Sequence, residues 1–439
     1  MRKRFFIAGL AAAGVVALAV AASGLANTGS TKSAQVLPAS SCSPVQYSGS
    51  GSPQFIVASD LPLQGSSRAQ TIEMTKAIGY TFKQAGYKAG KYTVGYQSCD
   101  DSTASAGKWD PAKCAANAAN YVRDKTVLGV IGTFNSGCAE IEVPIGNRAG
   151  LQWISPANTY IGLTHQPALA GEPQKYYPTG KRTYARVVAA DDYQASADAL
   201  QLKSLKAKKV YILNDKEAYG FGVASAVQNV IKGSKALGIK VAGFQAWDPK
   251  ASSYQDIASK VKASGADAVF LGGLECENGG KLIKDMRAGL GANFLIMAPD
   301  GFSSYTSTIK DAGSASNGMY ISQAGEPYQF LNAAGKKFAR AFGKTVGLPP
   351  SKVNSYSNYG ATAALVLLKA IAGSGGTRSG VSKGVYKHAF VGTPIGNFTL
   401  NANGDTNAGT IQIYHVVGNN APFVRVISPP ASLVALAKP

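Results

Sequence analysis

Short runs rich in Val, Ile, Leu and Phe alternate with stretches of helical period along most of the chain, and this alternation restricts the fold more than any other feature. Strands are expected at Phe55 to Ala58, Tyr92 to Tyr96, Val127 to Ile131 and Leu151 to Ile154. Between them, Ile72, Ile78, Phe82 and Ala85 mark one helix face, Ala115 to Val122 a second helix and Ile141 to Ile145 a third. A Pro-, Gly- and Tyr-rich passage at 166–184 interrupts the rhythm, which then resumes. Lys209 to Leu213, Lys240 to Phe244, Ala268 to Leu271, Phe294 to Met297 and Met319 to Ser322 form the second set of strands. Helices around Val223 to Ile231, Ile257 to Val261 and Leu282 to Met286 separate them. Strands joined by helical crossovers run parallel and bury both faces, so the chain is expected to be α/β, with two doubly wound parallel-sheet lobes in tandem. Two long helical patterns at 330–346 and 357–373 follow, then a hairpin-like pair around Asn403-Gly404-Asp405 with Thr410 to Val416 as its second strand.

A length of 439 residues allows two or three domains with a sizeable core. Lys and Arg number 44 against 24 Asp and Glu, a formal charge of +20, which favours anionic surfaces without choosing among nucleic acid, acidic lipid and cell-wall polymer. The first residues narrow that choice. Arg2, Lys3 and Arg4 precede an apolar run from Phe5 to Val20 and a small-residue stretch ending at Ala26, the pattern of a signal peptide at 1–26. The run is rich in Ala and Gly, which makes it a weak membrane span. Export to the periplasm or cell envelope takes the chain away from nucleic acid. Residues 27–53, rich in Ser, Gly, Thr and Pro, read as a flexible linker.

Five cysteines show no C-x-x-C pair and three histidines stand far apart, so no metal site and no cofactor are expected. In an oxidising compartment Cys42, Cys99, Cys114 and Cys138 are disulfide candidates, while Cys276 lies far downstream. Lipid attachment at Cys42 would need an aliphatic residue three positions earlier, where Ala39 stands.

In open parallel sheets, ligands collect where strand ends meet helix N-termini. The third strand is followed by Gly132 to Cys138, a turn-forming loop carrying Phe134 and Ser136, whose free N–H groups and hydroxyl suit a carboxylate or phosphate. The fourth is followed by Ser155 to Thr159, which offers the Thr159 hydroxyl to an anion and the Ala157 carbonyl to a cation. In the second set, Tyr219 follows the first strand, Glu275 the third and Asp300 the fourth. An aromatic ring and carboxylates thus face hydroxyl-rich loops, an arrangement that fits a zwitterion.

These residues resemble the type I periplasmic binding proteins of ABC importers, specifically those for branched-chain amino acids. The resemblance covers most of residues 54–428 and is carried by Val127 to Ser136, Ile154 to Thr159, Lys208 to Gly222, Ala263 to Gly273 and Pro299-Asp300-Gly301. It implies two lobes joined by a three-strand hinge: lobe 1 at 54–180 and 323–389, lobe 2 at 181–322 and, with a hairpin, 390–428, and a tail at 429–439. It also implies that a ligand carboxylate meets main-chain N–H groups and the hydroxyls of Ser136 and Thr159. The ammonium would meet the Ala157 carbonyl and Asp300, and Tyr219 would supply an aromatic wall. The implied partners are a small amino acid or amide-like ligand and a membrane permease, with the chain acting as a monomer. A ligand-sensing receptor subunit without transport would use the same cleft.

Two positions depart from the family pattern. Glu275 stands where members carry an aromatic, which would turn preference toward a polar or cationic side chain. The family's lobe 1 disulfide falls at Trp109 and Asn135 here, so the bridge is either Cys114 to Cys138 or Cys99 to Cys114. Enzyme motifs are missing: Gly280-Lys281 lacks the rest of a phosphate loop, no G-x-S-x-G occurs, and Gly220-Phe221-Gly222 lacks the third glycine of a dinucleotide fingerprint. Only Ser136 with His165 offers a hydrolytic pair, with no third member beside it.

Overall fold

The computed structural model describes residues 37–165 and 169–438, so the expected signal peptide lies outside the described residues. The first sheet draws on β1 (Phe55–Leu61), β2 (Lys88–Ala89), β3 (Tyr92–Asp100), β6 (Val127–Gly132), β7 (Gln152–Ser155) and β8 (Tyr184–Arg186), with β4 (Ser102–Thr103) and β5 (Lys108–Trp109) forming a small hairpin apart from it. Its order is β2-β3-β1-β6-β7-β8, and β1 pairs in parallel with both β3 and β6. Helices α1 (Arg68–Gln84), α2 (Pro111–Arg123) and α3 (Ser136–Arg148) make the crossovers. All six residues of β6 are buried, which is why a strand covered on both faces reads as one continuous apolar run.

The second sheet is formed by β9 (Lys209–Asn214), β10 (Lys240–Ala246), β11 (Ala268–Gly272), β12 (Leu295–Ala298) and β13 (Tyr320–Ala324). Helices α4 (Asp191–Ser204), α5 (Ala218–Gly233), α6 (Gln255–Ala263), α7 (Gly279–Leu290) and α8 (Tyr305–Ala312) accompany it. The chain then returns to the first lobe through α9 (Ala333–Val346), α10 (Ser355–Ala372) and α11 (Arg378–Lys387), with α10 packed along α1 and against β6. After the hairpin β14 (Ala389–Thr393) and β15 (Gly396–Thr399), strands β16 (Ile411–His415) and β17 (Phe423–Ile427) add antiparallel to β13, giving the order β10-β9-β11-β12-β13-β16-β17. The final helix is α12 (Ala431–Leu436). The chain therefore passes between the two sheets three times: after β8, after β13 and before β16.

Several expected boundaries move. The first sheet runs past residue 180, because β8 pairs with β7, and the second past 322, because β13 reaches Ala324. The hairpin at 389–399 packs on α9 and α10 in the first lobe, so 390 does not open the return to the second. The turn around Asn403-Gly404-Asp405 closes an antiparallel bridge between Leu400 and Thr406, but β16 is not its second strand, since it pairs with β13 and β17. The same turn docks on β8: the Arg186 N–H donates to the Gly404 carbonyl (2.8 Å), and Arg186 Nε donates to Asp405 Oδ1 (2.8 Å). Gly404 has φ +94°, and a Cβ there would lie 2.4 Å from the Tyr184 carbonyl oxygen, so only glycine allows this approach. The described part of 429–439 is no loose tail, since α12 packs on α4 and α5 and Lys438 pairs with Asp192 at 3.2 Å. The described part of the 27–53 segment is not a free linker either. It lies antiparallel beside β3, bridged at Gln46 to Tyr96 and by the Cys42–Cys99 disulfide.

Candidate functional site

The loop that ends β6 and the loop that ends β7 are tied into one platform. Ser155 Oγ donates to the Thr133 carbonyl (2.7 Å) and accepts the Asn158 N–H (2.8 Å), while Ser136 Oγ donates to Asn158 Oδ1 (3.0 Å). The Cys114–Cys138 disulfide fastens the first turn of α3 to the first turn of α2. Asn135 begins α3 without a side-chain cap, which leaves its leading N–H groups and the positive end of its dipole turned toward Ser136. A hydroxyl-and-amide surface results, suited to an anion.

Opposite it stand groups from the second lobe. Tyr219, in the first turn of α5, donates its hydroxyl to Asp300 Oδ1 and accepts the Gly301 N–H at 3.0 Å. From the first lobe, Tyr356, in the first turn of α10, donates to Asp300 Oδ2. Burial pushes the Asp300 carboxyl up, and the two tyrosine hydroxyls pull it back toward the charged form. Gly301 lets the two loops meet, because a Cβ there would lie 2.1 Å from the Gly273 carbonyl oxygen.

Asp191 opens α4 at the first crossover. It is fully buried, its N–H donates to the Thr159 carbonyl (2.9 Å), and the Thr159 hydroxyl is the side-chain donor that favours its charged form. Burial, with Asp300 as the strongest like-charge influence, raises its carboxyl well above the usual range.

A narrow cavity lies between these surfaces. Phe134, Ser136, Ala157 and Thr159 line it from the first lobe, and Tyr219 and Asp300 from the second, so the structure brings together six of the seven residues singled out in the sequence. Glu275 is the exception and corrects the expectation of a polar or cationic side-chain preference. Its N–H donates to the Gly301 carbonyl (3.0 Å), which sends Leu274 into the cavity and the Glu275 carboxyl away toward Asp311, Ser307 and Ser66. Burial, then Asp311, pushes that carboxyl up to about 8. Sequence reasoning also missed Tyr356 and Asp191. Tyr356 carries no local motif, whereas Asp191 had a signal in the acidic pair Asp191-Asp192 at a helix start.

The remaining candidates fall elsewhere. Cys99 bonds to Cys42, which excludes the Cys99–Cys114 bridge and lipid attachment at Cys42. Asp101, Cys114 and Cys138 bring ligand atoms within 4.8 Å of one another, but both sulfurs are spent in a disulfide, so the trio does not suit a metal. Ser136 turns to Asn158 and His165 Nε2 pairs with Asp405 at 2.5 Å, so the two form no hydrolytic pair. Among the described residues, no helix is long and apolar enough to cross a membrane.

The periplasmic binding protein family model matches residues 61–421. A Leu/Ile/Val-binding protein homolog of Brucella melitensis is 25% identical over 307 residues, covering 69% of this chain and 76% of that protein. A leucine-binding protein from Thermotoga maritima superposes with a TM-score of 0.71 at 22% identity, over 85% of this chain and 99% of its own. A solute-binding protein from Rhodopseudomonas palustris in complex with p-hydroxybenzoic acid gives 0.68 at 16% identity, over 85% and 97%. The chain therefore belongs to the periplasmic binding protein family, as a relative of the branched-chain amino acid substrate-binding proteins of ABC transporters, and its work is to hold a solute and not to transform one.

Proposed function

We propose that this protein captures a free α-amino acid with a compact apolar side chain outside the cytoplasm and delivers it to the membrane permease of an ABC importer. One observation carries the reading. An interlobe cavity has hydroxyls and a helix N-terminus on one wall and the Asp300 carboxylate on the other, with Asp191 buried beside Thr159. Each end of a zwitterion would meet an opposite partner there, in a site where charge-assisted hydrogen bonds are stronger than in water. Leu274 and the facing rings of Phe134 and Tyr356, 6.3 Å apart, supply the apolar surface for a side chain. The leader pattern and two disulfides support export.

A benzoate, as held by the Rhodopseudomonas palustris protein, would satisfy the hydroxyl wall but leave Asp300 facing an uncharged ring. Titration calorimetry separates the two. Leucine, isoleucine or valine is expected to bind and 4-hydroxybenzoate to fail, and the reverse ranking would overturn the reading.

A further inference from the structure

Charge in the second lobe is sorted along the direction of its strands. At the strand C-terminal ends stand Asp215 and Glu217 after β9, Asp248 after β10, Glu275 and Glu277 after β11, and Asp300 after β12, with Lys216 and Lys250 as their basic neighbours. At the opposite pole stand Lys203, Lys206, Lys208, Lys209, Lys232, Lys235, Lys240, Lys260 and Lys262, with Asp267 as their acidic neighbour. Eight of the nine are exposed, and Lys209 is half-buried.

The pole is one continuous surface, held by contacts between its parts. Lys203 Nζ donates to the Ala236 carbonyl (2.8 Å), the Lys240 N–H to the Lys208 carbonyl (2.8 Å), and Lys209 Nζ to the Ser264 carbonyl. Asp267 accepts the N–H groups of Lys208 (2.8 Å) and Lys209 (3.0 Å), so it is engaged by backbone. Among the described residues, none of the nine lysines pairs with a carboxylate.

Lysines near helix C-termini ordinarily offset the helix dipole, and α4, α5 and α6 all end here. That demand is small: each helix end carries roughly −0.5, so three carry about −1.5. Nine ammonium groups against one carboxylate exceed it several-fold. A surplus of flexible, unpaired Lys side chains at the starts of adjacent strands is diffuse and lacks the forked guanidinium geometry that would grip one phosphate.

We infer that this pole is an electrostatic docking face for a membrane surface rich in anionic lipid headgroups. It lies at the end of the lobe opposite the ligand cavity, so the protein rests on the bilayer without covering its cleft. The attraction is long-range, sequence-independent and salt-sensitive.

The test uses sedimentation of the purified protein with vesicles of phosphatidylglycerol in phosphatidylcholine. Two variants remove equal charge: Lys206, Lys208, Lys240 and Lys262 to Gln at the pole, and the exposed Lys337, Lys344, Lys383 and Lys387 to Gln on the first lobe. The expected result is binding at low salt that fades as NaCl rises from about 0.05 to about 0.5 M. It should also weaken at least tenfold in the pole variant and change little in the control. Melting temperature and leucine titration show that both variants remain folded. Equal weakening in the two variants, no vesicle binding at low salt, or binding to soluble polyphosphate without binding to vesicles would each overturn the inference.

Discussion

Lys108 Nζ, on the short β4–β5 hairpin of the first lobe, lies 2.9 Å from Glu217 Oε1, the residue that begins α5 in the second lobe. Glu277 contacts the same ammonium, and burial of the Lys108 charge is more than offset by these two acids, which raise its pKa. The pair crosses the lip of the cavity, two residues from Tyr219, and joins lobes that must part for ligand to leave.

Removing this cation leaves two carboxylates facing each other and favours the open form. Lys108→Met is therefore expected to speed ligand release and cost about 1–3 kcal/mol of affinity, with the effect shrinking at high salt. Stopped-flow dissociation measures it; an unchanged off-rate would remove the ion pair from the closure mechanism.

Asp300 should dominate recognition of the ammonium. Asp300→Ala is expected to lose about 2–5 kcal/mol of amino acid affinity by calorimetry, because the cation loses a buried partner. Asp191 is raised above the usual range by burial and by Asp300, so an arriving ammonium would draw it toward the charged form. Binding should then release protons and strengthen as pH rises. A binding enthalpy independent of buffer ionisation heat would contradict this.

Glu275 should not set specificity, because its carboxyl points away from the cavity. Glu275→Gln is expected to leave the ranking of ligands unchanged. Its folded pKa, about 8, lies above the ordinary 4.5, so its contribution favours the folded state at low pH and is lost as pH rises from 4.5 through 8. The variant should therefore lose less stability than the parent between those values in pH-dependent melts.

Asp405 behaves in the opposite sense. The Arg186 guanidinium, with His165, outweighs burial and holds its carboxyl down to about 2 from 3.8. A depressed acid adds stability above its unfolded pKa and loses it as pH falls through the folded one, here about 2 kcal/mol between pH 4 and 2. Asp405→Asn should remove that acid-limb slope in denaturant titrations, besides destabilising the buried Arg186 at all pH values.

The Cys114–Cys138 bridge clamps the turn that carries Ser136. Its loop of 24 residues suggests about 3 kcal/mol of stability. Replacing both cysteines with serine is expected to lower the melting temperature and weaken ligand binding together. A fall in melting temperature with full affinity would show that the platform holds its shape without the bridge.

Much of the fold was legible because both faces of a parallel sheet are buried. Val127 to Gly132 and Lys209 to Asn214 are apolar runs too short for helices, and the loops after them hold the candidate residues by topology. Helix α4 was not legible for a related reason. Ten of its fourteen residues are buried, so Asp191–Ser204 shows no polar face and no helical period in its sequence. Its Ala, Ser, Asp and Gln residues suggest neither core nor surface.

Local chemistry fixed which groups could meet a zwitterion: hydroxyls after two strands of the first lobe, and Tyr219 and Asp300 after strands of the second. Tertiary structure alone decided which of them meet. Tyr356 reaches Asp300 from the returning α10, and Leu274 displaces its neighbour Glu275 because one backbone hydrogen bond fixes that turn. Periodicity records the side of an element that is buried, but the partner across a cleft depends on chain crossings that lie tens to hundreds of residues apart in sequence.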